Sequence, residues 1–168
     1  MTNRADYLSS LTRYKRWANK LVYSSLTQLS NQDLVAPNPI VFGSLIATLQ
    51  HTLAMDEVWR AHLLGKPHGY TSRHPSESPP LKTVWAKQSE IDDWYVNYAD
   101  HLQNFVLSEV VNFEFIGGGH GAMSREQILL HVVNHGTYHR GNVTAMLYHH
   151  GISPPTTDYP VFLRDAGQ

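Results

Sequence analysis

Residues 124–150 read SREQILLHVVNHGTYHRGNVTAMLYHH, and this stretch decides the fold. It opens on a capping box, with Ser124 at the N-cap and Gln127 three residues later, each able to satisfy a backbone N–H of the first turn. Gly151 and the pair Pro154-Pro155 stop the helix near His150. On a wheel turning about 100° per residue, with His135 at zero, Ile128 and Met146 fall at about +20° and Val132 at about +60°. That stripe predicts a long helix buried along one side. His139, at about +40°, lies inside the stripe with His135, whereas His131, at about −40°, lies at its edge.

Working outward, residues 5–29 carry Tyr7, Leu8, Leu11, Tyr14, Trp17, Ala18, Leu21 and Val22 at helical spacing. Arg13, Lys15, Arg16 and Lys20 fall largely between them, which predicts an amphipathic helix. NQDLVAPNPIVFG, residues 31–43, reads as a connector. Ser44 is a candidate N-cap for a second helix reaching Leu64, with Gly65 as its stop. Its apolar arc is wide enough to be covered on more than one side, and Asp56 and Arg60, four apart on that arc, are spaced to allow a pair. KPHGYTSRHPSESPP, residues 66–80, is a turn-rich loop long enough to be either a lid or a surface connection. A third helix is predicted over residues 81–107, with Val84, Ile91, Tyr95, Tyr98, Leu102 and Phe105 facing inward. VNFEFIGGGHGAM, residues 111–123, reads as a strand or small hairpin, and the last segment packs back through Tyr159, Phe162 and Leu163. The expected architecture is all-α: a four-helix bundle with long connections and at most a small β-hairpin, one domain over residues 1–168.

Composition narrows the chemistry. The chain has 168 residues, 42% hydrophobic and 16% charged, as expected of a globular protein. A net charge of −1 removes the usual electrostatic reason to expect nucleic acid or an anionic membrane as partner. No apolar run approaches the roughly 20 residues that span a bilayer, and MTNRADYLSS lacks a signal-peptide core, so a cytoplasmic protein is expected. The absence of cysteine excludes disulfides, thiolate ligands and cysteine nucleophiles. What remains is histidine, of which there are 11.

His131, His135 and His139 are spaced four apart, so that neighbouring imidazoles can share one ion. Random placement would give such a run only about 0.05 times in this composition. A buried imidazole pair is hard to satisfy, and a metal ion satisfies both rings at once. Ordinary hydrogen bonds would also serve core histidines, and spacing alone leaves the two readings open. The best third ligand is His51, in TLQHTLAMDEVW, beside Met55 and Val58 and the small residues Ala47 and Ala54. His62 shares nearly the same angle but sits nearer the exposed end of its helix, and His68, His74 and His120 are on loops. His149 and His150 suit a helix C-terminus through the dipole. There is no Glu-x-x-His on the fourth helix, no His-Glu-x-x-His, no phosphate-cradling glycine motif and no nucleophile elbow.

The block HVVNHGTYHRGNVTAMLYHHGISPPTTDYPVFLRD closely resembles the C-terminal signature of the DinB/YfiT-like superfamily of damage-inducible helical bundles. RYKRWANKLV and SLIATLQHTLAMDEVWRAHLLG resemble that superfamily's first two helices. The resemblance implies a four-helix bundle with a three-histidine site for one divalent metal ion, zinc or nickel, with open coordination positions. Carried over residue by residue, its ligands are His51, His135 and His139. Relatives include transferases and isomerases that use bacillithiol or mycothiol, beside many members of unassigned activity. The implied function is a metal-dependent thiol S-transferase or hydrolase acting on a small molecule, with a low-molecular-weight thiol as partner. The alternative is a non-catalytic metal-binding or structural stress-response module. A DNA-associated damage-response role is disfavoured by the charge. Relatives are often homodimers, and an aromatic content of 11% suits an interface and a large core equally. No general acid or base is assigned, because Tyr138, Asp56 and Glu57 lie near ligands in sequence but at different wheel angles.

Overall fold

The computed structural model describes residues 3–40, 42–74 and 76–166. Residues 1, 2, 41, 75, 167 and 168, which belong to the N-terminal stretch, the connector, the loop and the last segment, lie outside them. Four long helices form the body: α1 (Arg4–Leu26), α3 (Leu45–Leu63), α4 (Leu81–His101) and α5 (Arg125–His149). Among the described residues the other elements are two short helices, α2 (Asn31–Val35) and α6 (Tyr159–Asp165), a 3₁₀ turn (Asn104–Val106) and one hairpin, β1 (Val110–Glu114) with β2 (His120–Ser124).

The helix starts follow from capping chemistry. The Ser124 hydroxyl accepts from Gln127 N–H while Gln127 Oε1 accepts from Ser124 N–H at 2.8 Å. Ser44 caps α3 through Ala47 N–H. Ser30 and Asp33 form a second capping box that starts α2 inside the segment read as a connector. The third helix ends at His101 rather than near residue 107, and a 3₁₀ turn over Asn104–Val106 leaves Phe105 at 79% exposed instead of in the core. Gly117, Gly118 and Gly119 join β1 to β2, and their positive φ makes the glycine run the turn of the hairpin. Phe113 pairs with Gly121, where a Cβ would come within 2.6 Å of its ring, and its other side meets Trp59 edge-on at 4.9 Å.

In the bundle, α1 packs on α4 and α5, and α3 packs on the same two, so α1 and α3 face each other across the centre. Side-chain pairs give the directions. Arg13 meets Asp100 and Asn19 meets Asp92, so α1 and α4 are antiparallel. Arg4 meets Glu126 and Asn19 meets Arg140, so α1 and α5 are parallel. His51 meets His135 and the Leu63 carbonyl meets Arg125, so α3 and α5 are antiparallel. It follows that the sequential neighbours α3 and α4 are parallel. The chain must therefore travel back along the bundle between them, about 28 Å for the 19 residues of α3. That return accounts for the long loop at residues 64–80. Among the described residues, no helix is long and apolar enough to cross a membrane.

The centre of the bundle is polar. Lys15 is 1% exposed and its Nζ donates to Asp56 Oδ2 at 2.6 Å and to Asp92 Oδ1 at 2.5 Å. Gln88 Nε2 donates to both carboxylates, Asn19 Nδ2 donates to Asp92, and Arg140 donates to Asn19 Oδ1 at 3.0 Å. Two sequence expectations are corrected here. Lys15 belongs to the buried face of α1 rather than its polar face, and Asp56 pairs with Lys15 rather than with Arg60. The longer reach of an interhelical ammonium beats the i,i+4 contact because Asp56 points into the bundle. Burial lowers the Lys15 pKa and the two carboxylates more than reverse this, so the side chain stays an ammonium.

Breaking this network should be costly. Lys15→Met strands two buried carboxylates and is expected to lose about 3–5 kcal/mol in urea unfolding. The double replacement Lys15→Met, Asp56→Leu, which leaves Asp92 and Arg140 as one buried charge of each sign joined through Asn19, should regain at least about 1 kcal/mol of that loss.

Candidate metal centre

Three imidazoles converge between α3 and α5. His135 Nε2 lies 3.2 Å from His51 Nε2 and 3.1 Å from His139 Nε2, and the three donor atoms lie within 4.8 Å of one another. The i,i+4 spacing on α5 supplies two of them, and antiparallel packing brings the middle of α3 opposite the middle of α5 to supply the third. Among the described residues this is the one group of three or more histidine, aspartate or glutamate side chains that could hold an ion. All three residues singled out in the sequence are therefore brought together.

His131 is left out. Its ring centre is 5.7 Å from that of His135, and it packs edge-on against Trp59 at 4.9 Å, as its place at the rim of the helical stripe predicts. His62 lies further along α3 against Trp59 and Phe113. Asp56 is committed to the ion network and Glu57 to the Tyr70 hydroxyl, so neither faces the cluster. Tyr138 stands beside His139, ring centres 4.9 Å apart, and is largely exposed.

The protonation states suit a cation. His51 Nδ1 lies 2.7 Å from the Arg73 carbonyl oxygen, which can only accept. Nδ1 therefore carries the proton, and the Nε2 lone pair is directed at the other two rings. Burial pushes the His135 pKa down to about 3, helped by the neighbouring rings and Lys15, and pushes His139 down to about 4. His51 is lowered for the same reason. His51 Nε2 can only accept, so the contacts at 3.2 and 3.1 Å are hydrogen bonds only where His135 or His139 holds its proton on Nε2; with both protonated on Nδ1, three lone pairs face one another. The edge of a tetrahedral site with metal–nitrogen bonds of about 2.0–2.1 Å is about 3.3–3.4 Å, so the donor set fits a divalent ion.

Sequence reasoning missed three contributors. Phe42 stacks on His51 with ring centres 4.0 Å apart and also borders His74 and His139. The Arg73 carbonyl fixes the His51 tautomer. His74 approaches His51 to 6.1 Å between ring centres. A backbone carbonyl carries no residue-type signal. The length of the loop was the available clue, and the return path between parallel helices is what puts it over the histidines.

A family model for the DinB family matches residues 1–168. Protein DinB of Bacillus subtilis (strain 168) is 28% identical over 164 residues, covering 95% of each chain. The crystal structure of a DinB-like protein from Bacillus cereus superposes with a TM-score of 0.63 at 18% identity, over 83% of this chain and 90% of that one, a likeness of fold.

The neutral histidines carry a pH signature. Unfolded, each would take up a proton near pH 6.5, whereas His135 and His139 resist protonation down to about 3 and about 4. Their contribution to stability is complete above pH 6.5 and is lost as pH falls toward those values. The melting midpoint of metal-stripped protein should therefore drop between pH 7 and pH 4.5. The drop should be smaller in His135→Asn, His139→Asn, which keeps every other titrating group.

Proposed function

This chain belongs to the DinB family, and from that premise we propose that it is a metal-dependent enzyme that transfers a thiol to, or hydrolyses, a small electrophile. His51, His135 and His139 are the ligands in this reading, and zinc or nickel the ion that suits three imidazoles. The observation that carries it is the convergence of three uncharged Nε2 atoms, one of them fixed in the ligating tautomer by a backbone carbonyl.

A divalent ion held there makes a thiol or a water acidic enough to supply a nucleophile at neutral pH. The protein's part is to leave that capacity undiminished. Three neutral donors add no negative charge to the ion. The Arg73 carbonyl prevents the His51 ring from flipping its proton toward the site. Phe42 covers one face of His51 and borders His139, which excludes water from that side. Asn142 Nδ2 lies 3.4 Å from His139 Nδ1, and with the amide turned, its oxygen would hold a proton on that nitrogen. The half-buried His135 borders the exposed face of α5, where Asn134 and Tyr138 lie.

Tag-free protein should carry about one divalent ion per chain by elemental analysis, and His51→Ala and His135→Ala should each lose it. Loaded protein should consume a small electrophile in the presence of a low-molecular-weight thiol, with a rate that falls about 100-fold or more on metal removal. Consumption independent of thiol would assign hydrolysis. Full metal occupancy with neither reaction would leave a metal-binding module, and no metal after reconstitution with zinc or nickel would overturn the site.

A further inference from the structure

Residues 67–74, in the loop that returns the chain from α3 to α4, lie against the bundle with little to hold them. None is buried, and only His68 and Tyr70 are half-buried. Several of their polar groups bond within the stretch: Tyr70 N–H donates to His68 Nδ1, and the Ser72 hydroxyl pairs with the His74 backbone. Among the described residues two hydrogen bonds tie the stretch to the helices, and both reach α3. The Tyr70 hydroxyl donates to a Glu57 carboxylate oxygen, and the Arg73 carbonyl accepts from His51 Nδ1 at 2.7 Å. Ring contacts of His68 with His62 and of His74 with Phe42 add to them.

The second tie ends on one of the three converging histidines, so its strength depends on what that ring holds. An imidazole that gives its Nε2 lone pair to a divalent ion has a more polarised Nδ1–H. Its hydrogen bond then becomes charge-assisted, roughly twice as strong as a neutral one. Because the stretch has no buried anchor, a change in this one bond changes how often it opens. Tyr70 governs the same bond from a short distance along the chain. With its hydroxyl on Glu57, the backbone that follows is held against α3, where the Arg73 carbonyl meets His51.

We propose that residues 67–74 form a clamp on the metal centre, held shut by a bound ion and tightening that ion's binding in return, with Tyr70 as the positioning residue that acts through Glu57. The inference rests on the three-histidine reading of the site. Such coupling is reciprocal: the factor by which an ion suppresses opening is the factor by which opening weakens the ion. An open clamp leaves the His51 ring free to turn, and the ion loses its preset tautomer.

Hydrogen–deuterium exchange on the full-length protein, metal-free and saturated with zinc, tests the clamp. Amides of residues 68–74 should exchange about threefold or more slowly with zinc, while the hairpin turn at residues 117–119 keeps its rate. Tyr70→Phe should weaken zinc by about threefold or more in a chelator competition and reduce the zinc-dependent protection, with the melting midpoint of metal-free protein unchanged. Glu57→Ala cuts the same tie from the helix side and should match it, whereas Glu57→Gln, which removes the charge but keeps an acceptor, should retain most of the affinity. Zinc bound at one per chain with unchanged exchange over residues 68–74 overturns the clamp and leaves the metal centre standing. Unchanged zinc affinity in both Tyr70→Phe and Glu57→Ala also overturns it. Failure to bind zinc or nickel at all overturns the three-histidine reading, and the clamp with it.

Discussion

Lys15 puts a positive charge at the centre of the bundle, and the carboxylates that compensate it come from two other helices, Asp56 on α3 and Asp92 on α4. Apolar burial would tolerate many rotations and small slides of these helices against one another. An ammonium held by two carboxylates tolerates few. Asn19 ties Asp92 back to α1 and forward to Arg140 on α5, so every long helix contributes a polar atom to one connected set. Gly136 is part of the same constraint: a Cβ there would lie 3.3 Å from Lys15 Cε, so its missing side chain gives the lysine stem its path between α1 and α5. The residue before it is His135. The axial position of α5, and with it the height of His135 and His139 opposite His51, is tied to this set through the Arg140–Asn19 hydrogen bond and the contact of Gly136 with the Lys15 stem.

The helix directions have a second consequence. Because α3 and α4 run parallel side by side, their connection cannot be a tight turn, and residues 64–80 run along the flank of α3. On the way, the Arg73 carbonyl takes the proton side of the His51 ring, and Tyr70 takes a carboxylate oxygen of Glu57. The same loop thus sets the tautomer of one histidine and engages the carboxylate two turns further along α3. Neither contact depends on unusual residues in the loop. Both follow from where the path must go.

Elements with strong local signals could be read from the sequence: the α5 capping box, the arc of α3 that is buried on several sides, and the stripe containing His135 and His139. His51 was found for the same reason, as an imidazole at the edge of an apolar arc in mid-helix. The short helices α2 and α6 were not read, since each is made by a few residues whose helicity depends on caps and packing. Residue type alone puts Lys15 on the polar face, although it sits three and four residues from Ala18 and Leu11 and so lies on the apolar line. Its position outweighed its charge, and only the arrival of Asp56 and Asp92 from distant segments makes that burial tolerable. The Arg73 carbonyl and Phe42 depend on tertiary routing alone, which no local pattern encodes.

The buried charges also explain why the cluster between α3 and α5 contains histidine and no carboxylate. Asp56 and Asp92 are the buried acids of the bundle interior, and either would compete for a divalent ion as a hard, charged ligand. Each is occupied: Asp56 by Lys15 and Gln88, Asp92 by Lys15, Asn19 and Gln88. The cluster is left with neutral donors, and burial chiefly, with the adjoining rings and the Lys15 ammonium adding to it, keeps the proton off His135. A carboxylate in the set would reduce the net charge of a bound ion and its power to acidify what it holds. The interaction that locks the helices in register therefore also sequesters the acids, and the electrostatic character of the three-histidine group follows from how the bundle is held together.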